Sequence, residues 1–168
     1  MFLKDHKGVS VGLGLLAALG FGLLSQLAEA STATSTFTVS ATVPATCTVA
    51  ATNLAFGSYT GTLSNATSTI TATCTNSTSY NVGLNAGTVT GATVSTRAMT
   101  GPSGATLSYG LFQDSGHTTN WGDTVGTDTE SGTGTGAAQN LTVYGQIPAG
   151  QFPTPGSYTD TITVTVTY

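Results

Sequence analysis

Charge is almost missing from this chain of 168 residues, which has three Lys/Arg, seven Asp/Glu and a formal net charge of −4. Only 6% of its residues are charged, where an ordinary globular chain carries about 25%. So few bases cannot neutralise a run of phosphates, and nucleic-acid binding is excluded. The 3.6-residue period of an amphipathic helix is missing everywhere after residue 30. Also missing is any period of three among the 22 glycines, which rules out a collagen-like chain. What is abundant is threonine, with 36 residues. A chain this rich in a β-branched residue and this poor in charge is no ordinary disordered tail. The length suits one domain with a modest core.

The first thirty residues read as an address. Lys4 and Lys7 precede a mostly apolar run from Val9 to Leu24, and Ala28-Glu29-Ala30 follows, small at both positions that signal peptidase reads. A basic start, a short apolar core and an A-x-A end make residues 1–30 a cleaved secretory signal. The alternative, a membrane anchor, calls for about 20 predominantly apolar residues, more than Val9 to Leu24 supplies. Export then leaves Arg97 as the one base and His117 as the one histidine of residues 31–168. Cys47 and Cys74 both lie in the exported part. An even count in an oxidising compartment favours a disulfide between them over two buried thiols. Two cysteines and one histidine are too few for a four-ligand structural zinc site, and no metal or cofactor is expected.

The rest of the chain alternates. Phe37 to Val43, Ile70 to Cys74, Leu107 to Leu111, Leu141 to Val143 and Ile162 to Tyr168 place apolar side chains at every second position. Period two puts one set on a buried face and the other in water, and threonine suits the wet face. Turn-rich pieces such as Gly101-Pro102-Ser103-Gly104 and Pro153-Thr154-Pro155-Gly156 separate the runs. Short alternating strands with that punctuation predict an antiparallel β-sandwich. On composition, Gly126 to Gly136 is expected to be a surface loop. Arg97 is most simply read as a solvated charge, and Trp121 as packing rather than as a platform for a sugar.

Two features sit badly with a self-contained sandwich. Phe37 to Val43 stands directly after the cleavage site and ahead of the first cysteine. Ile162 to Tyr168, at the other end, contains neither charge nor proline, the devices that usually blunt an edge strand. On pattern alone, Phe37 to Val43 reads equally well as the first strand of a complete sandwich.

Four stretches carry a family likeness. They are Cys47-Thr48-Val49 with Asn53-Leu54-Ala55-Phe56-Gly57, then Leu107 to Asp114 (LSYGLFQD), then Asn120-Trp121-Gly122-Asp123, and finally Val143 to Gln151 (VYGQIPAGQ) running into Pro155 to Tyr168 (PGSYTDTITVTVTY). In these the sequence resembles the spore coat protein U domain family, which includes major subunits of archaic chaperone–usher pili. The resemblance implies an all-β, incomplete immunoglobulin-like antiparallel β-sandwich whose last strand is missing. A periplasmic chaperone fills the gap first. The N-terminal extension of the next, identical or related subunit then replaces it as an outer-membrane usher extrudes the fibre to the cell surface. On that basis residues 31–43 are expected to be a donor-strand extension, with Phe37, Val39, Ala41 and Val43 entering the neighbour. Residues 44–168 form the sandwich, with Ile162, Val164, Val166 and Tyr168 along the acceptor groove. The implied role is a structural pilus subunit supporting surface attachment and biofilm formation. The alternatives are a spore-coat or cell-surface matrix protein on the same domain, and a tip adhesin or sugar-binding module. For an adhesin, a receptor domain in front of the pilin domain is expected, and residues 31–168 leave no room for both.

An enzyme is not expected. Asp114-Ser115-Gly116-His117 contains an acid, a hydroxyl and an imidazole, but a triad needs them converging in space beside an oxyanion hole, not in a row on a loop. No G-x-S-x-G elbow accompanies them. The acids between Asp114 and Glu130 carry oxygen ligands suited to calcium but lack the spacing of an EF-hand loop.

Overall fold

The computed structural model describes residues 30–168, so the expected signal, apart from Ala30, lies outside the described residues. The chain divides into two compact units, Met1–Ser40 and Ala41–Tyr168. In the described part of the first, residues 30–40 form neither strand nor helix, and the large side chains of Phe37 and Val39 are exposed. The alternation there makes no strand by itself, because an isolated strand has no neighbour to take its backbone N–H and C=O groups.

The second unit holds every strand found among the described residues. In chain order they are β1 (Cys47–Ala51), β2 (Ser64–Cys74), β3 (Ser79–Leu84), β4 (Arg97–Thr100), β5 (Thr106–Phe112), β6 (Glu130–Thr133), β7 (Ala138–Ile147) and β8 (Val164–Thr167), with one short 3-10 turn at Pro102–Gly104. They form a five-stranded sheet in the order β1-β2-β7-β5-β4 and a three-stranded sheet in the order β6-β3-β8. All pairings between the named strands are antiparallel. The fold is all-β, as the period-two pattern predicts.

The same pattern sets the core. Ile70, Ala72 and Cys74 of β2 are buried together with Tyr80, Val82 and Leu84 of β3, Leu107, Tyr109 and Leu111 of β5, and Val143 and Ile147 of β7. Each large apolar side chain contributes roughly 1.5–3 kcal/mol of gross stabilisation. β2 and β7 stay in register from Ser64↔Ile147 to Thr73↔Ala138. A slip of one residue would turn the inward set of β2 to solvent, so burial fixes that register.

Two expectations need correction. Gly126 to Gly136 is not simply a surface loop: Glu130–Thr133 forms β6 and pairs with β3 from Ser79↔Thr133 to Val82↔Glu130. Gly132 there lies under the ring of Tyr80, where an added Cβ would collide with Tyr80 Cζ. The glycine that suggests a loop is thus a close-packing residue of a strand. Arg97, in turn, is not a solvated charge. It is fully buried, and its guanidinium donates to four main-chain carbonyls: Nε to Asn85 (2.8 Å), Nη1 to Val94 (2.6 Å), and Nη2 to Leu84 and Trp121 (2.7 Å each). Five N–H donors in a planar fork make arginine the side chain able to serve so many acceptors at once. It ties β4 of the larger sheet to the end of β3 in the smaller one. Trp121 is buried beside it, with Nε1 donating to the Val82 carbonyl at 2.8 Å. That is a packing role, as expected.

Cys47 and Cys74 form the disulfide. They are directly opposed residues of β1 and β2, so the bond closes the end of that ladder and a loop with a sequence separation of 27. In the chain-entropy account a loop of this size stabilises the fold by about 3 kcal/mol. We expect the Cys47→Ser, Cys74→Ser double variant to be less stable by that order, unfolding at lower urea concentration with a somewhat steeper slope because its unfolded chain is no longer cross-linked. Intact mass of the exported wild-type chain should be two hydrogens below the dithiol. Two thiols open to alkylation without reduction would contradict it.

Candidate functional site

The two sheets do not close against each other all the way round. β1 is an outer strand of the larger sheet, paired only with β2, and β8 is an outer strand of the smaller one, paired only with β3. These two edges lie side by side. Beyond them the chain leaves regular structure on both flanks, after Ala51 and before Val164, and a cleft opens between the flanks. One part, of about 680 Å³, runs between residues 51–56 and residues 158–164. The next, of about 740 Å³, runs between residues 54–61 and residues 151–158. They share Leu54, Ala55, Phe56, Met99 and Tyr158, which makes one long trough.

The floor of the trough is the core itself. Ile70, Leu84, Tyr109, Leu111 and Val143 line the first part, and Leu107 and Ile147 the second. A sandwich normally covers such residues with a further strand. The first flank lies low against the sheet because Gly145 of β7 has no side chain: a Cβ there would come within 2.7 Å of Leu54 and 2.9 Å of Phe56. Leu54 and Phe56 turn inward while Ala55 points out. The far end is tied down by polar contacts. Tyr59 donates its hydroxyl to the Pro148 carbonyl at 2.6 Å. The Gln151 amide both accepts from Ser108 N (2.8 Å) and donates to Ser108 O (2.9 Å), as a neighbouring strand would.

The second flank carries the groove residues expected from the sequence. Ile162 and Val164 line the cleft. Val166 is half-buried and packs on the core without lining it, and Tyr168 is 59% exposed. Thr163, Thr165 and Thr167 face solvent. The expected donor residues are out in water: Phe37, Val39 and Val43 are each more than four-fifths exposed, and Ala41 is exposed as well. Of the four residues expected along the groove, Ile162 and Val164 line the trough and Val166 and Tyr168 do not, while Leu54 and Phe56 on the opposite flank were not among the expected residues. The signal was the Leu54-Ala55-Phe56 alternation, too short to stand out.

The remaining candidates come apart. Asp114 is engaged by its own loop, accepting from the backbone N–H of Thr119 (2.7 Å) and from the N–H and hydroxyl of Thr118. The Thr119 N–H above all holds its pKa below the usual carboxylate range. His117, with a left-handed backbone (φ 55°), sets its ring edge-on to Phe112 at 5.3 Å. Acid, hydroxyl and imidazole do not converge.

The chain is thus an antiparallel two-sheet β-domain with a long trough over its core, between residues 51–61 and residues 151–164. The Spore Coat Protein U domain family model matches residues 33–165, and the chain belongs to that family. Its fold is similar to a chain in the crystal structure of the CsuC–CsuE chaperone–tip adhesion subunit pre-assembly complex from archaic chaperone–usher Csu pili of Acinetobacter baumannii. The TM-score is 0.56 and the identity 28%, over 76% of this chain and 40% of that one. This chain thus spans less than half the length of that neighbour. No curated protein matches it.

Proposed function

We propose that this protein is a structural, non-enzymatic subunit of an archaic chaperone–usher pilus that polymerises by strand donation. The observation that carries the reading is the trough between residues 51–61 and residues 151–164, floored by core residues. Phe37, Val39, Ala41 and Val43 present the matching alternation on an exposed segment. An extended peptide laid along β8 gains main-chain hydrogen bonds for affinity, and its inward side chains fill the pockets below. Phe37, Val39 and Val43 each contribute roughly 1.5–3 kcal/mol on burial, and the small Ala41 contributes least. A periplasmic chaperone and an outer-membrane usher are the partners such assembly requires, and the cell surface is the destination. Membership in the family and likeness to a chaperone-bound pilus chain support this reading. The family's description also favours deposition as a surface coat without a fibre, supported by the same domain.

The test is a thermal melt of the folded body, residues 44–168, with added peptide. A ligand that binds only the native state stabilises it by about 2.7 kcal/mol at a hundredfold excess over Kd. The Ser31–Val43 peptide is expected to raise Tm by roughly 5–10 °C. The same peptide with Phe37, Val39 and Val43 changed to Ser should barely move it. A body indifferent to both peptides refutes strand donation.

A further inference from the structure

The stretch from Thr159 to Thr163 crosses from one sheet to the other beside the trough. At its start Thr159 exchanges both backbone hydrogen bonds with Thr100 at the end of β4, in the larger sheet (2.9 and 3.0 Å). At its end Thr163 bonds Asn85 just after β3, in the smaller one. Asp160 stands at the beginning of the crossing, and its carboxylate gathers four donors. Oδ1 accepts from Thr88 N (2.8 Å), Thr88 Oγ1 (2.6 Å) and Thr161 N (2.8 Å), and Oδ2 accepts from the Tyr109 hydroxyl (2.7 Å). Tyr109 belongs to β5 and Thr88 to the segment after β3, so one carboxylate joins both sheets to the flank of the trough. Asp160, Tyr109 and Ile162 all line it. Gly87, at φ +88°, leaves the carboxylate its seat: a Cβ there would lie against the Asp160 carboxylate oxygen.

We propose that Asp160 is a positioning residue of the trough: its carboxylate clasp on Thr88 and Tyr109 sets the Tyr158–Ile162 flank at the separation an inserted strand requires. The inference rests on the strand-accepting reading of the cleft. Without the clasp the crossing segment is held only at its ends, by the Thr159–Thr100 and Thr163–Asn85 bonds, while the core beneath keeps its packing. The effect therefore falls on capture of a strand more than on the fold. The groups around the carboxylate are the Tyr109 hydroxyl from β5, the Thr88 hydroxyl, and the charge of Arg97 from β4, which Asp123 and Asp128 also face. Burial pushes Asp160 upward, but the bonds from Thr88, Tyr109 and Thr161 outweigh it and leave its pKa below the ordinary carboxylate value. The clasp is intact above that value and is lost as pH falls through the lowered one.

The experiment uses the full exported chain, diluted until light scattering is flat, and an end-capped, fluorescent Ser31–Val43 peptide, which has no ionisable side chain. Polarisation gives Kd, and urea unfolding is followed in parallel. Asp160→Asn is expected to weaken binding at pH 7 about tenfold or more, as loss of charge-assisted bonds implies. Tyr109→Phe, which keeps the ring, should weaken it a few-fold. For the wild type, affinity should fall between pH 5 and pH 2 by a factor that Asp160→Asn lacks. Equal affinities and equal pH profiles in wild type and Asp160→Asn overturn the clasp. So does an affinity that merely tracks the urea midpoint across the three proteins. A wild-type chain that takes no peptide at any pH overturns instead the reading of the cleft itself.

Discussion

A chain lacking residues 31–42 is expected to form no fibres, while the remaining sandwich stays folded and still takes the Ser31–Val43 peptide. The deletion removes Phe37, Val39 and Ala41, three of the four side chains assigned to a neighbour's trough, and touches no strand of the sandwich. The narrower version is Val39→Asp. A carboxylate pressed into an apolar trough without a partner costs several kcal/mol unless it protonates or turns out to water. At about 1.4 kcal/mol per tenfold, subunit–subunit affinity should drop a hundredfold or more. Negative-stain microscopy and sedimentation of both variants beside wild type check this. Normal fibres from the deleted chain would mean that Phe37 to Val43 donates nothing, and the sandwich would then be complete without it.

The other large effect is expected at Arg97. Arg97→Ala leaves the carbonyls of Leu84, Asn85, Val94 and Trp121 without their donor and opens a cavity between the sheets. The bonds to Leu84 and Trp121 are buried and those to Asn85 and Val94 partly so; at about 1–3 kcal/mol for each buried acceptor left unpaired, with the cavity added, the loss is a large share of the roughly 5–15 kcal/mol of a whole domain's stability. The variant should fail to accumulate as folded protein. Arg97→Lys keeps the charge but not the fork and should unfold at a clearly lower urea concentration. Burial already pulls the arginine below its usual pKa, with Tyr109, Asp123, Asp128 and Asp160 pulling back. Arg97→Ala within about 1 kcal/mol of wild type would show that water replaces the guanidinium at little cost.

Arg97 also marks where sequence pattern stops being informative. Period two located β2, β5, β7 and the last strand and named many of their inward residues, because a strand's hydrophobic face is a local property, although Tyr168 is exposed and the buried Ile147 lies beyond the run that was read. Ser79 to Leu84 alternates as cleanly, with Tyr80, Val82 and Leu84 all buried. Arg97 is different: its acceptors come from residues 84, 85, 94 and 121, brought together only by the crossing of two sheets. The one base among residues 31–168, in a chain poor in charge, looks like a surface charge until that crossing is known. A subtler sign was there in Arg97-Ala98-Met99, where Arg97 and Met99 share a side of β4. β6 was hidden for the opposite reason. Its glycine and threonine read locally as loop, and only the ring of Tyr80 explains the glycine. The trough was half legible, since Ile162 and Val164 stand in a long alternating run. Leu54 and Phe56 depend on the bare backbone of Gly145, ninety residues away in the chain.

The disulfide has a mechanical side. Cys47 is the first residue of β1 and follows the segment that ends at Val43 by only a few residues. Tension drawn along the chain from its N-terminal side therefore enters the sandwich at Cys47. Without a cross-link, that load would unzip β1 from β2 one backbone bond at a time, beginning with the terminal pair. With Cys47 joined to Cys74, the pull passes at once to β2. That strand is held by β7 along Ser64–Thr73, so the load is shared by the longest ladder among the described residues instead of falling on the pairing of β1 alone.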